Sequence, residues 1–136
     1  MVQGELIIKI KLIDSDDYIL IRKWWEAHDW EPVHPYLLSN TGLMIFDEDL
    51  PIVAGWYGKT NSLTALVEWV VKNPEAKPKQ FIKALSLLCE TIEDLAKGDG
   101  YRMIITFLEN NKLKKFMERR KYEQADMGLD TYVKGL

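Results

Sequence analysis

Hydrophobic and polar positions alternate near the start of the chain. Leu6, Ile8, Ile10 and Leu12 fall at period two within Leu6–Ile13, with Lys9 and Lys11 between them. That spacing predicts a strand with one solvated face. Asp14-Ser15-Asp16-Asp17 then supplies helix N-cap chemistry, because side-chain oxygens accept from unpaired amides and carboxylates suit the positive helix end. The period changes to three and four residues at Ile21, Trp24, Trp25 and His28, which predicts a helix from Asp17 to about Asp29, stopped by Pro32 and Pro35. Three strands are predicted next: Gly42–Phe46, Ile52–Tyr57 and Leu63–Val71, joined by the acidic turn Asp47-Glu48-Asp49 and the hairpin loop Thr60-Asn61-Ser62. In the third strand Val67, Trp69 and Val71 are expected on one face, with Leu66 and Val70 on the other around Glu68. Apolar residues on both faces predict a central strand covered on both sides, which leaves one carboxylate among apolar neighbours.

The segment Asn73-Pro74-Glu75-Ala76-Lys77-Pro78 breaks the pattern, and a long helix is predicted from near Pro78. Phe81, Leu85, Leu88, Cys89, Ile92, Leu95 and Ala96 form its apolar stripe, and Gly98 suits a left-handed stop after Lys97. Tyr101–Phe107 reads as another buried strand, and Asn110 or Asn111 as the cap of a shorter helix with Leu113, Phe116 and Met117 inward. Weaker strands are expected over Glu123–Met127 and Thr131–Lys134. The order is β-α-β-β-β-α-β-α-β-β, an α/β (α+β) chain read as one domain over residues 1–136, with a mixed central sheet and helices on both faces.

Composition narrows the class. With 47% hydrophobic and 29% charged residues, the 136-residue chain has enough apolar surface to offset chain entropy, so a folded rather than a disordered chain is expected. A net charge of -3 argues against a dedicated nucleic-acid or anionic-membrane binder, which would carry a basic footprint. The single cysteine, Cys89, excludes an intrachain disulfide framework, lies on a buried stripe, and reads as a small hydrophobe. The N-terminus lacks a positive region before its apolar run, and no window approaches the ~20 apolar residues of a spanning helix. A cytoplasmic protein with no membrane partner is the expectation.

Two other groupings bear on chemistry. His28 and His34 lie near Glu26, Asp29 and Glu31, but their spacing matches no recurring ligand pattern and no metal is expected. Lys112, Lys114, Lys115, Arg119, Arg120 and Lys121 form a basic cluster that reads as a solvated helix face, or as a contact for an acidic partner or nucleic acid.

Three stretches resemble the GNAT N-acetyltransferase superfamily, in particular its short single-domain bacteriophage members. They are Trp56–Ser62 with Ala65–Val71 as the central hairpin, Asn73–Leu85 in the place of the pyrophosphate loop and its helix, and Asn110–Tyr122 in the place of the helix that follows. The resemblance implies acetyl-CoA as cosubstrate and acetyl transfer to an unidentified small-molecule or protein amine. Main-chain groups of Val70, Val71 and Lys72 would pair with the pantetheine arm. Lys77, Pro78, Lys79, Gln80, Phe81 and Ile82 would hold the pyrophosphate through loop amides and the positive helix end, and Asn110 would contact the cofactor. Glu68 would be the general base, since a carboxylate among apolar neighbours has a raised pKa. Trp24, Trp25, His28, Tyr36 and Trp56 would line the acceptor pocket, or belong to the core.

The chain also departs from the family pattern. Pro78, Gln80 and Ile82 stand where members carry residues that admit the phosphates closely, and proline donates no amide. Met117 replaces the tyrosine that protonates the leaving thiolate, and a thioether has no proton to give. The rival reading is therefore a catalytically degenerate GNAT-fold binding or structural protein, phage-encoded and virion- or host-interacting, working in the host cytoplasm. A homodimer is left open.

Overall fold

A computed structural model of the chain describes residues 8–107, 111–125 and 132–136. The chain divides into two compact units, Met1–Thr106 and Phe107–Leu136. In the first unit, β1 (Ile8–Leu12), β2 (Thr41–Asp47), β3 (Leu50–Gly58), β4 (Thr64–Lys72) and β5 (Met103–Thr106) form one sheet in sequence order. Every pairing is antiparallel except β4 with β5, which is parallel. A parallel pair needs a crossover, and α2 (Pro78–Gly98) supplies it.

The two faces of the sheet are covered by different helices. Ile21, Trp24 and Trp25 of α1 (Asp17–Ala27) pack with Met44, Ala54, Trp56 and Val71, all on one face. On the other face, the buried stripe Leu85, Leu88, Cys89 and Ile92 of α2 meets β2 and β3. Burying each such large side chain contributes about 1.5–3 kcal/mol, so these two layers dominate the unit.

Strand β1 differs from the expectation. Its apolar positions Ile10 and Leu12 are 47% and 65% exposed. They pair with Ile45 and Leu43, on the face that α2 covers, but α2 lies over β2, β3 and β4. An edge strand outside the helix footprint keeps its apolar face in water. Lys11, on the α1 side, is tied to Asp17 at 2.9 Å. Strand β5 is shorter than Tyr101–Phe107 and half-exposed rather than buried, since it has a neighbour on one side only among the described residues.

Helix ends also shift. Asp16 is the N-cap of α1 but makes no side-chain cap bond. The capping oxygen comes from Asp14, whose Oδ1 accepts from the amides of Asp16 at 3.0 Å and Asp17 at 3.2 Å. At the end of α2, Gly98 is still helical, and the left-handed turn falls on Gly100, with φ +88°. Pro78 opens α2 as expected. A 3₁₀ turn, Pro35–Leu37, interrupts the connection from α1 to β2.

The second unit contains α3 (Asn111–Arg119), in which Phe116 and Met117 are buried. The strands expected over Glu123–Met127 and Thr131–Lys134 fall partly outside the described residues, and their described parts, 123–125 and 132–134, are irregular.

Candidate active site

Toward one edge of the sheet, β4 outruns its parallel partner β5 and leaves a fork among the described residues. Strands β4 and β5 pair over Thr64–Val67 and Met103–Thr106, the last pair being Val67 with Thr106. The Thr106 hydroxyl closes the ladder by donating to the Val67 carbonyl at 2.9 Å. Beyond that point β4 continues to Lys72 without β5.

At the fork β4 carries a bulge. Ala54 pairs with Val71 and Trp56 with Glu68, so Trp69 and Val70 both stand opposite Gly55. Trp69 has φ +56°, a conformation that costs a bulky residue about 1–3 kcal/mol and is retained where surrounding packing enforces it. The bulge corrects the expected facing of this strand. Trp69 and Val71 share the α1-side core and Val70 faces Gly55 and Leu88 on the other side, as expected, but Val67, opposite Tyr57, falls on the face of Val70, while Leu66 and Glu68, opposite Gly58 and Trp56, fall on the face of Trp69. Trp69 is fastened by its indole N–H, which donates to the Leu37 carbonyl at 3.3 Å.

Glu68 is the first residue past the paired part of β4. Its carboxylate lies over Gly58, where a Cβ would come within 3.0 Å of Glu68 Cδ and Oε2. Glycine at 58 thus makes room for it. The carboxylate has no hydrogen-bond or ion-pair partner among the described residues. Partial burial is the cause that raises its pKa above the ordinary carboxylate value.

The loop after β4 is pinned by Asn73, a buried polar residue. Its side-chain amide donates to the Pro51 carbonyl at 2.7 Å, and its Oδ1 accepts from the Glu75 amide at 3.0 Å. This anchors the turn into α2 and fixes where the helix starts. At that start Gln80 folds back. Its Oε1 accepts from the Lys77 amide at 2.9 Å and its Nε2 donates to Asp47 at 2.9 Å. Lys77, Pro78 and Lys79 are exposed, Phe81 is half-buried and Ile82 is 43% exposed. Nothing in the local pattern signals the tether to Asp47, which joins residues 33 apart.

The remaining candidates are dispersed. Trp24 and Trp25 are core residues, with Trp25 stacked on Trp56 at 5.9 Å. Tyr36 is 93% exposed. His28 Nε2 donates to the Lys72 carbonyl at 2.9 Å, and its ring stacks on Trp30. The Lys72 carbonyl is therefore already occupied. His34 Nδ1 accepts from the Tyr36 amide at 3.1 Å. Asn110 lies outside the described residues, and Cys89 is buried in the α2 stripe. Of the expected pocket residues, Trp56 borders a cleft of about 400 Å³ between the start of α1 and the loop before β2.

No family model matches the sequence, and no curated protein does. Solved structures match its fold. A transcriptional regulator from Bacillus halodurans C-125 has a TM-score of 0.70 at 11% identity, covering 93% of this chain and 100% of its own. An N-acetyltransferase from Staphylococcus aureus Mu50 has a TM-score of 0.69 at 12% identity, covering 88% and 86%. A predicted acetyltransferase from Clostridium acetobutylicum, solved with acetyl-CoA, has a TM-score of 0.65 at 10% identity, covering 93% and 96%. The chain has the GNAT fold: a mixed, mostly antiparallel open sheet, with its parallel pair forked beside a bulged strand.

Proposed function

We propose that the chain is an acetyl-CoA-dependent N-acetyltransferase acting on an amine. The observation that carries this reading is the fork, whose first open residue holds a carboxylate of raised pKa with no partner among the described residues. Acetyl-CoA would supply the thioester carbonyl that the amine attacks. Among the described residues the edge of β4 at Val70 and Val71 is open, and it would offer main-chain donors and acceptors to the pantetheine amides, much as an added strand would pair. Lys72 contributes less there, because His28 holds its carbonyl. The amides of Lys79 and Gln80 at the start of α2, with the Lys77 and Lys79 side chains, would hold the pyrophosphate. Glu68 takes the proton from the attacking amine, a task to which a raised pKa is suited. The departing thiolate would take its proton from water.

One observation favours a second reading, a GNAT-fold binding protein without turnover. The phosphate end is built differently from the fork: Pro78 removes one amide, and Gln80 lies across the helix start with the Asp47 carboxylate drawn in beside it. Calorimetric titration with coenzyme A and acetyl-CoA separates the readings. The enzyme reading expects a Kd below about 1 mM. No heat at that concentration means that ~4 kcal/mol of binding free energy is missing, and the second reading holds.

A further inference from the structure

The long helix α2 turns one face away from the sheet. Lys79, Lys83, Glu90 and Asp94 are exposed there, with Ser86 and Leu87 half-buried between them, all at three- and four-residue steps. Their charges sit at odds with the helix that carries them. Like charges stand four residues apart in Lys79 and Lys83, and again in Glu90 and Asp94, which is a repulsive spacing. The first turn holds Lys79 and no acidic residue, although the positive helix end favours anions. None of the four has an ion-pair partner among the described residues.

The same face is complementary to its own reversal. Turning α2 end for end about the midpoint between Ser86 and Leu87 exchanges position 83 with 90 and position 79 with 94. A second α2 laid antiparallel on the first, at an axial separation of about 8–10 Å, therefore sets Lys83 opposite Glu90 and Lys79 opposite Asp94. It also sets Leu87 opposite the small Ser86, and Ile82, which is 43% exposed, opposite Thr91. A parallel copy would set lysine on lysine and acid on acid. The charge pattern that is repulsive within one helix is thus attractive between two.

We infer that the outer face of α2 is the contact between two copies of this chain, related by a two-fold axis near Ser86 and Leu87. Such an interface is self-complementary, each ion pair occurring twice. The ion pairs set the antiparallel register, and Leu87 and Ile82 supply apolar contact. One helix against one helix falls at the small end of protein interfaces, so the dimer is weak, with a Kd of about 100 µM. It stands independently of acetyl transfer, because it needs neither coenzyme A nor the fork. Lys79 also belongs to the proposed phosphate end, and the test leaves it unchanged.

The test is sedimentation equilibrium of the whole chain across about 20–500 µM protein, a range that brackets the expected Kd. The wild type should dimerise, and about tenfold more weakly as salt rises from about 50 mM to about 500 mM, because exposed charges are screened. Lys83→Glu and Glu90→Lys should each stay monomeric, since either change sets like charges opposite one another at two places. An equimolar mixture of the two, and the double swap Lys83→Glu/Glu90→Lys, should dimerise as the wild type does. Thermal melts establish that each variant is folded. Should one single variant fail to fold, the other and the double swap carry the test. The proposal is overturned by a wild type that is monomeric throughout or a dimer indifferent to salt. It is equally overturned by single variants that dimerise like the wild type, or by a folded double swap or mixture that stays monomeric.

Discussion

Glu68 of β4 stands directly across from Trp56 of β3, one residue beyond the last pair that β4 makes with β5. That relationship places a carboxylate at the mouth of the fork while its cross-strand partner stays packed in the α1-side core. It also makes Glu68 the residue whose substitution separates chemistry from architecture.

Glu68→Gln keeps the shape and removes the charge. If Glu68 is the base, coenzyme A affinity should persist while turnover falls ~10²-fold or more, and the acidic limb of the pH–rate profile should disappear. Stability should move the other way. Because burial raises the folded pKa of Glu68 above 4.5, the unfolded state releases this proton first as pH rises. The wild type therefore loses stability from about pH 4.5 up to the folded value. Thermal melts across that window should show the loss in the wild type and its absence in Glu68→Gln.

Gln80→Gly with Ile82→Gly probes the phosphate end. The first change removes the tether to Asp47 and the bond to the Lys77 amide, and both replace helix formers by glycine. Each glycine within the helix should cost ~1 kcal/mol, less in the first turn. If the helix start is an obstructed cradle, calorimetry should show tighter coenzyme A binding despite the lower melting temperature. Lower stability with unchanged binding would assign both residues to ordinary packing.

Two glycines should respond oppositely to alanine. At Gly42 the added methyl would strike the Trp56 indole, so Gly42→Ala should destabilise by about 1–3 kcal/mol in chemical denaturation. At Gly98, within α2, nothing lies near a built Cβ and φ is not positive. Gly98→Ala should stabilise by roughly 0.5–1 kcal/mol.

The end of α2 should leave a signature at both extremes of pH. Tyr57 donates to Asp99 at 2.6 Å, and Lys59 lies 3.3 Å from the same carboxylate. The hydrogen bond from Tyr57, then Lys59, lowers the Asp99 pKa below 3.8, while burial and Asp99 push Tyr57 above 10.0. For Asp99 the stabilisation is present above its unfolded pKa and lost as pH falls through the folded value. For Tyr57 it is lost as pH rises past the unfolded value. Tyr57→Phe should melt lower at neutral pH and show a flatter dependence of Tm on pH at both ends. Equal slopes in variant and wild type would contradict this account.

Local pattern was enough to read most elements. The period-two run at Ile8–Leu12, the α2 stripe and the opening Pro78 each depend on residues close in sequence, so they were legible without a fold. The acidic run before α1 announced a cap, although Asp14 rather than Asp16 provides it. Glu68 could be singled out as a carboxylate in an apolar strand, because its composition is local.

Tertiary structure decided what depends on register and coverage. The bulge at Trp69 arises from the pairing of β4 with β3, and a nine-residue strand carries no sign of where its partner will skip a residue. That the apolar side of β1 is wet as well as its lysine side followed from where α2 ends its footprint, not from the alternation of lysine and isoleucine. The bond from His28 to Lys72, the tether from Gln80 to Asp47 and the indole of Trp56 over Gly42 all join distant residues. Sequence periodicity fixes which side chains share a face of one element. Only the packed sheet fixes which element lies opposite, and hence which polar groups find partners.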